Sequence, residues 1–321
     1  MSGPLISIIL PTRNRLGTIR DTISQIQAQT VTDWELIISD NASDEPGKAA
    51  YLNELAASDP RVKVYHQREN IGIHGNWIFC IQQCRGRYYI ASTDDDRWGE
   101  KAYLELLLAM HDGRLATVFP NLSIEHLTSG RFQERILTGV YHNDMSQAEI
   151  CLQMVTHRQG VLMMGLFNLD VVTKDDLCRV YDHRRNGHCE TVGMVRIARE
   201  HTVRFQEAAT YIHSFYDGNY VRGCDREEVL RDSALSHFIL LEDLRLAALN
   251  DPSFAPVAAM QWKNCVNDAR AISRSCRVGD GRVVFTPPPA KSALRQFFSG
   301  QRKALKQWLR GSGREQTSKQ A

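Results

Sequence analysis

No pair of cysteines in this chain stands at C-x-x-C spacing. Cys80 and Cys84 fall four apart in a helical stretch, and the rest are scattered at 151, 178, 189, 224, 265 and 276. A zinc site wants tighter ligand pairs, so the cysteines read as neutral thiols in a reducing compartment. No basic n-region precedes the first apolar run, "LISIIL", which argues against a signal peptide. Apolar runs of ~18–20 residues, the length that spans a bilayer, are missing too. A cytoplasmic protein is the simplest expectation. Formal net charge is only +2, and that charge balance argues against a dedicated nucleic-acid binder. Neither G-x-G-x-x-G nor another glycine-rich loop follows the first apolar run. That absence argues against a nicotinamide-dependent dehydrogenase and against a sugar nucleotidyltransferase.

What is present suits a large α/β chain. At 321 residues with 43% apolar content, it can bury a full core and is long for one ordinary domain. "LISIILPT" is a continuous β-branched run cut by proline, the pattern of a strand buried on both faces. "GTIRDTISQIQAQT" follows, with Ile19, Ile23 and Ile26 on one helical stripe. "DWELIISDNASD" predicts a second buried strand, "KAAYLNELAAS" a helix and "VKVYHQ" an alternating strand. "GNWIFCIQQC" then predicts a third helix, and "RYYIAST" a fourth strand. This alternation predicts a doubly wound, mostly parallel sheet with helices on both faces. Farther along, "EKAYLELLLAMHD", "MSQAEICLQMVTH" and "VGMVRIARE" read as helices. "LATVFPNLSIEHL" and "VRFQEAATYIHSF" read as extended, and "GVLMMGLFNLDVV" as a mixed apolar segment. From Asp225 the pattern is helical without strands, and "TPPP" at 286–289 makes a rigid break. The expected divisions are 1–115 and 116–224 as two halves of one α/β domain, 225–285 as a helical extension, and 286–321 as a tail.

Chemistry collects at the predicted strand ends. They read "PTRNR", "SDNASD", "RENIG" and "TDDDRW", and all should open on one edge of the sheet. Ligands of doubly wound sheets bind there, near the switch in strand order. Arg13, Arg15 and Arg68 suit phosphate oxygens, whereas Asp94, Asp95 and Asp96 would repel a polyphosphate directly. A divalent cation between them reconciles the two, because Mg²⁺ and Mn²⁺ bridge carboxylates to phosphates. The plainer alternatives are an acidic turn capping the next helix and an Asx-turn made by Asp40 with Ser43. Arg68 also reads as a surface arginine, and Gly72 as a backbone turn.

Taken together, "ISIILPTRNR", "WELIISDNASD", "ENIGIHGNW" and "YYIASTDDDRW" resemble the family-2 glycosyltransferases of GT-A fold. The likeness is strong over residues 5–115 and looser over 116–222. It implies a GT-A-like sheet and inverting transfer of a sugar from a nucleotide diphosphate, with UDP the commonest donor nucleotide. It further implies Mn²⁺ or Mg²⁺ and a glycan or lipid-linked acceptor, as in surface polysaccharide biosynthesis. By that resemblance, Pro11, Thr12 and Arg15 line the nucleotide pocket. Asp40 matches a base- or ribose-contacting aspartate, and Arg68 a basic partner near the nucleotide. Asp94 falls at a ribose or sugar contact, and Asp95 at the metal-binding carboxylate of the DxD motif. The first acid of that motif would fall on Thr93, which makes Asp96 a second metal candidate. Glu190, in "NGHCETVGMVRIARE", matches the first acid of a pair that carries the catalytic base; Thr191 stands where the second would be. Asp182 and His188 are reserves, and Glu190 also reads as a helix N-terminal acid. His213 matches a basic residue of the closing loop that reaches the pyrophosphate, or else a packed histidine among aromatics. The departure at Thr191 keeps open a relic that binds nucleotide sugar without turnover.

The tail segment "KSALRQFFSGQRKALKQWLRG" places Leu294, Phe298, Leu305, Trp308 and Leu309 on roughly one helical face. No acid occurs between Lys291 and Glu315. This pattern suits peripheral contact with an anionic membrane, or packing on the domain or on a second subunit.

Overall fold

The first apolar run forms β1 (Ile6–Thr12) in the computed structural model, with Ile6, Ile8, Ile9 and Leu10 fully buried. Each such side chain withdrawn from water contributes about 1.5–3 kcal/mol, so this strand anchors the core. The structure describes residues 3–126, 131–133, 140–157, 163–181, 189–215, 226–275, 277–278 and 281–282. β2 (Trp34–Asp40), β3 (Val62–His66) and β4 (Tyr88–Ala91) lie parallel with β1 in the order β3-β2-β1-β4. Helices α1 (Leu16–Gln27), α2 (Lys48–Ser58) and α3 (Gly72–Gln83) connect them. α1 buries Ile19, Ile23 and Ile26, the stripe read from the sequence. The chain steps outward from β1 to β3, and α3, packed on β1 and β2, then carries it back to β4. Strand order therefore reverses between β1 and β4, which opens a crevice at their carboxyl ends.

The remaining elements extend the same sheet. They are β5 (Arg97–Trp98), α4 (Tyr103–Leu108), β6 (Thr117–His126), β7 (Arg131–Gln133), α5 (Gln147–His157), β8 (Leu166–Asn168), α6 (Lys174–Arg179), α7 (Cys189–Glu200) and β9 (Val203–Phe215). The full order is β3-β2-β1-β4-β8-β6-β9-β5, with β7 on β6. β6 and β9 run with the first four strands, whereas β5, β7 and β8 run against them. The mostly parallel sheet is thus present, with antiparallel β8 inserted between β4 and β6. At three residues, β8 is too short to show a period within its apolar segment. α6 was not foreseen, although Thr173 and Asp176 form a reciprocal capping box at its start. The helix expected over 100–112 shortens to α4, and the chain turns through Gly113 at φ +83°.

α8 (Arg226–Asn250) and α9 (Ala255–Ser275) pack on each other; α9 also lies on α5, and α8 on α7. A two-stranded hairpin, β10 (Arg277–Val278) with β11 (Gly281–Arg282), follows where no strand was expected. The basic tail lies outside the described residues. No described helix is long and apolar enough to cross a membrane. Cys80, Cys84 and Cys151 are buried, and burial pushes the Cys84 and Cys151 thiols up to about 12.

A carboxylate sits near the start of the otherwise apolar run of β2. Glu35 accepts from Ser7 Oγ at 2.7 Å and Arg85 N at 2.8 Å, and from the Arg85 guanidinium at 2.9 and 2.6 Å. The same knot presses Gly86 onto β1, where a methyl group would stand 2.6 Å from Ser7 N. Backbone cannot yield as a side chain does. Gly86→Ala should therefore cost about 1–3 kcal/mol in urea unfolding, the range for overpacking. Gly17→Ala, in α1 with nothing within 4 Å, should gain about 0.5–1 kcal/mol. Opposite signs for the two variants are the expected outcome.

Candidate active site

Parallel register sets Thr12 beside Asp40, and Asp40 beside His66. Ile9 pairs with Ala91, so residues 92–94 run past β4 alongside the end of β1. Thr12 Oγ1 there donates to Asp94 Oδ2 at 2.6 Å and accepts from Lys48 Nζ at 2.7 Å. One Arg15 guanidinium nitrogen reaches Asp94 Oδ1 at 3.0 Å and Asp95 Oδ2 at 2.5 Å. Asp40 is buried. It accepts from Ser43 Oγ, lies 3.8 Å from Lys48 Nζ, and has His66 Nδ1 at 3.3 Å. The Ser43 contact is side chain to side chain and not an Asx-turn, and the turn there is closed by Ala42 N donating to the Asp40 carbonyl. The structure brings Pro11, Thr12, Arg15, Asp40, Asp94 and Asp95 to one edge. Arg68 is exposed and borders a cavity of about 560 Å³ with Tyr65, His66 and Phe79 beside β3.

Backbone strain accompanies this geometry. Asn14 and Arg15 lie at φ 59° and 62° before α1, and Ala42 at φ 54° after β2. Non-glycine residues there cost of order 1 kcal/mol or more each, and they persist where surroundings over-determine them. Here the two turns hold each other. Ser43 Oγ accepts from Asn14 N at 2.7 Å, Asn14 Oδ1 from Asp44 N at 3.1 Å, and Glu45 Oε2 from Leu16 N at 2.7 Å. The last contact also places an acid at the positive end of α1.

The aspartate triplet is divided between two sets of partners. Asp94 and Asp95 share Arg15. Asp96, 1% exposed, accepts from Tyr211 Oη at 2.6 Å and Ser214 N at 2.8 Å, with His213 Nδ1 at 3.0 Å. Pairing of β5 with β9, Trp98 opposite Tyr211, brings these groups together. Asp96 is thus committed to β9 and drops out as a metal candidate, and His213 is its partner. Burial opposes charge on His213, but the bond and charge of Asp96 outweigh it and raise its pKa. Burial likewise pushes Asp96 up, and the His213 bond and charge outweigh that, holding its carboxyl low. For Asp94 burial wins over Arg15 and Thr12, and its pKa is raised.

Lys48, Tyr211, Ser214 and Glu45 were missed from the sequence. Lys48 had a signal, since it shares the buried stripe of α2 with Leu52 and Leu55. Burial lowers its pKa despite Asp40 and Asp94. Glu190 is half-buried in the first turn of α7. Thr191 is buried, and its hydroxyl has no hydrogen-bond partner among the described residues. Asp182 and His188 lie outside the described residues.

Among the described residues, no three His, Cys, Asp or Glu side chains converge as a metal-binding group. Two carboxylate oxygens, of Asp94 and Asp95, do converge on one cationic nitrogen. That donor set fits a hard, oxygen-seeking cation that completes its shell with phosphate and water.

Residues 7–156 match the sequence profile of Glycosyl transferase family 2. The UDP-Glc:alpha-D-GlcNAc-diphosphoundecaprenol beta-1,3-glucosyltransferase WfgD of Escherichia coli is 31% identical over 181 residues, 55% of this chain and 68% of that protein. This chain belongs to glycosyl transferase family 2. Of other curated relatives it spans about half the length or less. S. aureus TarS 1-349 in complex with UDP-GlcNAc superposes with a TM-score of 0.61 at 13% identity, over 84% of this chain and 74% of that one. The mannosyltransferase PcManGT from Pyrobaculum calidifontis, in complex with GDP-Man and Mn²⁺, gives a TM-score of 0.52 at 13% identity. It covers 94% of this chain and 84% of that chain. These likenesses show a shared GT-A-like fold.

The His213–Asp96 pair generates a pH signature. His213, raised above 6.5, contributes stability fully below that pH and loses it as pH rises through the folded value. Asp96, held below 3.8, contributes fully above that pH and loses it as pH falls through the folded value. The melting-point gap between the parent and His213→Gln should be widest from roughly pH 4 to 6.5 and shrink above it. Calorimetric scans from acid to alkaline pH check this.

Proposed function

We propose that the chain moves a sugar from a nucleotide diphosphate sugar, with UDP as nucleotide, to a glycan or lipid-linked acceptor, inverting the anomeric centre. The observation that carries this reading is the meeting of Arg15 with Asp94 and Asp95 at the switch point between β1 and β4. WfgD, by its name, uses UDP-Glc and a diphosphoundecaprenol-linked acceptor, which supports a UDP donor and a lipid-linked acceptor in surface polysaccharide assembly. The TarS complex with UDP-GlcNAc and the PcManGT complex with Mn²⁺ support the donor class and the metal.

Residues 1–115 form the donor half in this reading and 116–224 the acceptor half. Pro11, Thr12, Asp40 and Arg68 contact the nucleotide, and Asp94 the ribose or sugar. Asp95 holds Mn²⁺ or Mg²⁺, which when bound offsets the charge building on the leaving diphosphate. The Arg15 side chain is 28% exposed, so donor phosphate oxygens reach it without unburying it. Glu190 is the general base. α7, which carries Glu190 in its first turn, packs on α5, α6 and α8. Only residues 201–202 separate it from β9, which runs with β1 and ends at the edge that carries Asp94. The acceptor oxygen bonds to the anomeric carbon, the bond to the diphosphate oxygen breaks, and the acceptor proton passes to the Glu190 carboxylate. The protein works at the cytoplasmic face of a membrane, with the basic tail as its peripheral contact. A second reading, a donor-binding protein without turnover, draws support from the neutral, buried Thr191 at the second acid position.

A nucleotide sugar such as UDP-Glc should raise the melting point by mass action, and more so with Mn²⁺. Asp95→Ala should remove the Mn²⁺-dependent part of that rise. Glu190→Gln should lower turnover at least ~100-fold with donor binding intact, the size expected for loss of a general base. Near-parental turnover of that variant would move the base elsewhere, and Mn²⁺-dependent binding without any turnover of the parent would favour the second reading.

A further inference from the structure

Lys48 opens α2 and is 0% exposed, an unusual place for an ammonium. Its Nζ donates to Thr12 Oγ1 at 2.7 Å and to the Asn14 carbonyl, and lies 3.8 Å from Asp40 Oδ1. An ammonium donates hydrogen bonds and accepts none, whereas a threonine hydroxyl has one proton to give. Thr12, accepting from Lys48, must therefore spend its single proton elsewhere, and the oxygen 2.6 Å away is Asp94 Oδ2. The direction of this relay is set by Lys48: ammonium to hydroxyl, hydroxyl to carboxylate. Asp94 Oδ2 therefore receives from Thr12, which fixes the orientation of the carboxyl group.

Arg15 is a countercharge of another kind. It is partly exposed, and Asp94 and Asp95 both share it from within the crevice. Drawn to a donor's phosphates, it relaxes its hold on Asp94. Lys48 has no such choice, because it is enclosed by three oxygens from β1, the β1–α1 turn and β2.

We propose that Lys48 is a positioning residue of the donor site: through Thr12 it holds Asp94 as a fixed acceptor for a donor hydroxyl, and through the Asn14 carbonyl it braces the turn that carries Arg15. This inference rests on the donor-binding reading of the site and adds to it the group that maintains Asp94 once Arg15 engages phosphate.

The test is calorimetric binding of UDP-Glc and of UDP-GlcNAc with Mn²⁺ to the full chain, for Lys48→Met, Thr12→Val, Asp94→Asn and the double variant Lys48→Met/Asp94→Asn. Lys48→Met and Thr12→Val should each weaken binding about 10–100-fold, the range for groups that orient a ligand-bearing side chain. The double variant should bind as Asp94→Asn does, within about a factor of two, because residues acting through one another are not additive. Equal loss from Lys48→Met in parent and Asp94→Asn backgrounds would make Lys48 a structural residue only and overturn the relay. Parent-like binding by Thr12→Val would overturn it as well. That variant keeps the buried ammonium with Asn14 and Asp40; its loss should vanish in the Asp94→Asn background if Thr12 acts through Asp94 and persist there if Thr12 only touches the nucleotide, which overturns the relay even where Lys48→Met does not fold. A parent that takes up neither nucleotide sugar with Mn²⁺ overturns the donor reading itself and this inference with it.

Discussion

A single hydroxyl, that of Thr12, joins the two sides of the crevice. Toward β2 it meets a buried ammonium, and toward β4 a buried carboxylate. It reaches both because β1 is the central strand of the parallel set and its last residue lies at the switch in strand order. Burial of Ile6, Ile8, Ile9 and Leu10 seats the strand in the core, and its register is pinned by Ser7 bonding to Glu35, its pairing partner on β2. The polar edge is therefore positioned by the apolar core beneath it. Charges that would repel in isolation are sorted along this edge. Arg15 spans two aspartates, Lys48 stands behind Thr12 and Asp40, and β9 takes the third acid.

Much of this was legible from residue order. Continuous β-branched runs named the buried strands, the Ile19–Ile23–Ile26 spacing named α1, and the polar residues after each strand marked the edge that carries the site. Short elements were not legible. β5 and β8 have two and three residues, fewer than any period needs, and their pairing is decided by partners far along the chain. The division of the Asp94–Asp96 triplet was hidden for the same reason. Nothing in "TDDDRW" reveals that Tyr211, His213 and Ser214, more than a hundred positions later, will claim the last acid. Lys48 was hidden differently. A lysine at a helix start is ordinarily solvated, and only its alignment with Leu52 and Leu55 hints at burial.

The family assignment and the geometry support each other at different scales. Sequence likeness to family members is concentrated in the first half, where the four strand-end motifs lie. Likeness of fold extends over most of the chain, although sequence identity to the solved structures is only 13%. A conserved scaffold with divergent walls is what a fold shared among many sugars and acceptors requires, since a site's chemistry resides in its side chains and not in its topology.

The lacing of the turns after β1 and β2 carries a consequence for how such a protein can be altered. Asn14, Arg15 and Ala42 hold left-handed backbone while Ser43, Asp44 and Glu45 bond across to the opposite turn and Lys48 braces the Asn14 carbonyl. The pair acts as one jaw. Transplanting either segment alone into a related scaffold would strip the other of its supports and release the strain. The two segments can then be exchanged between relatives only when both travel together.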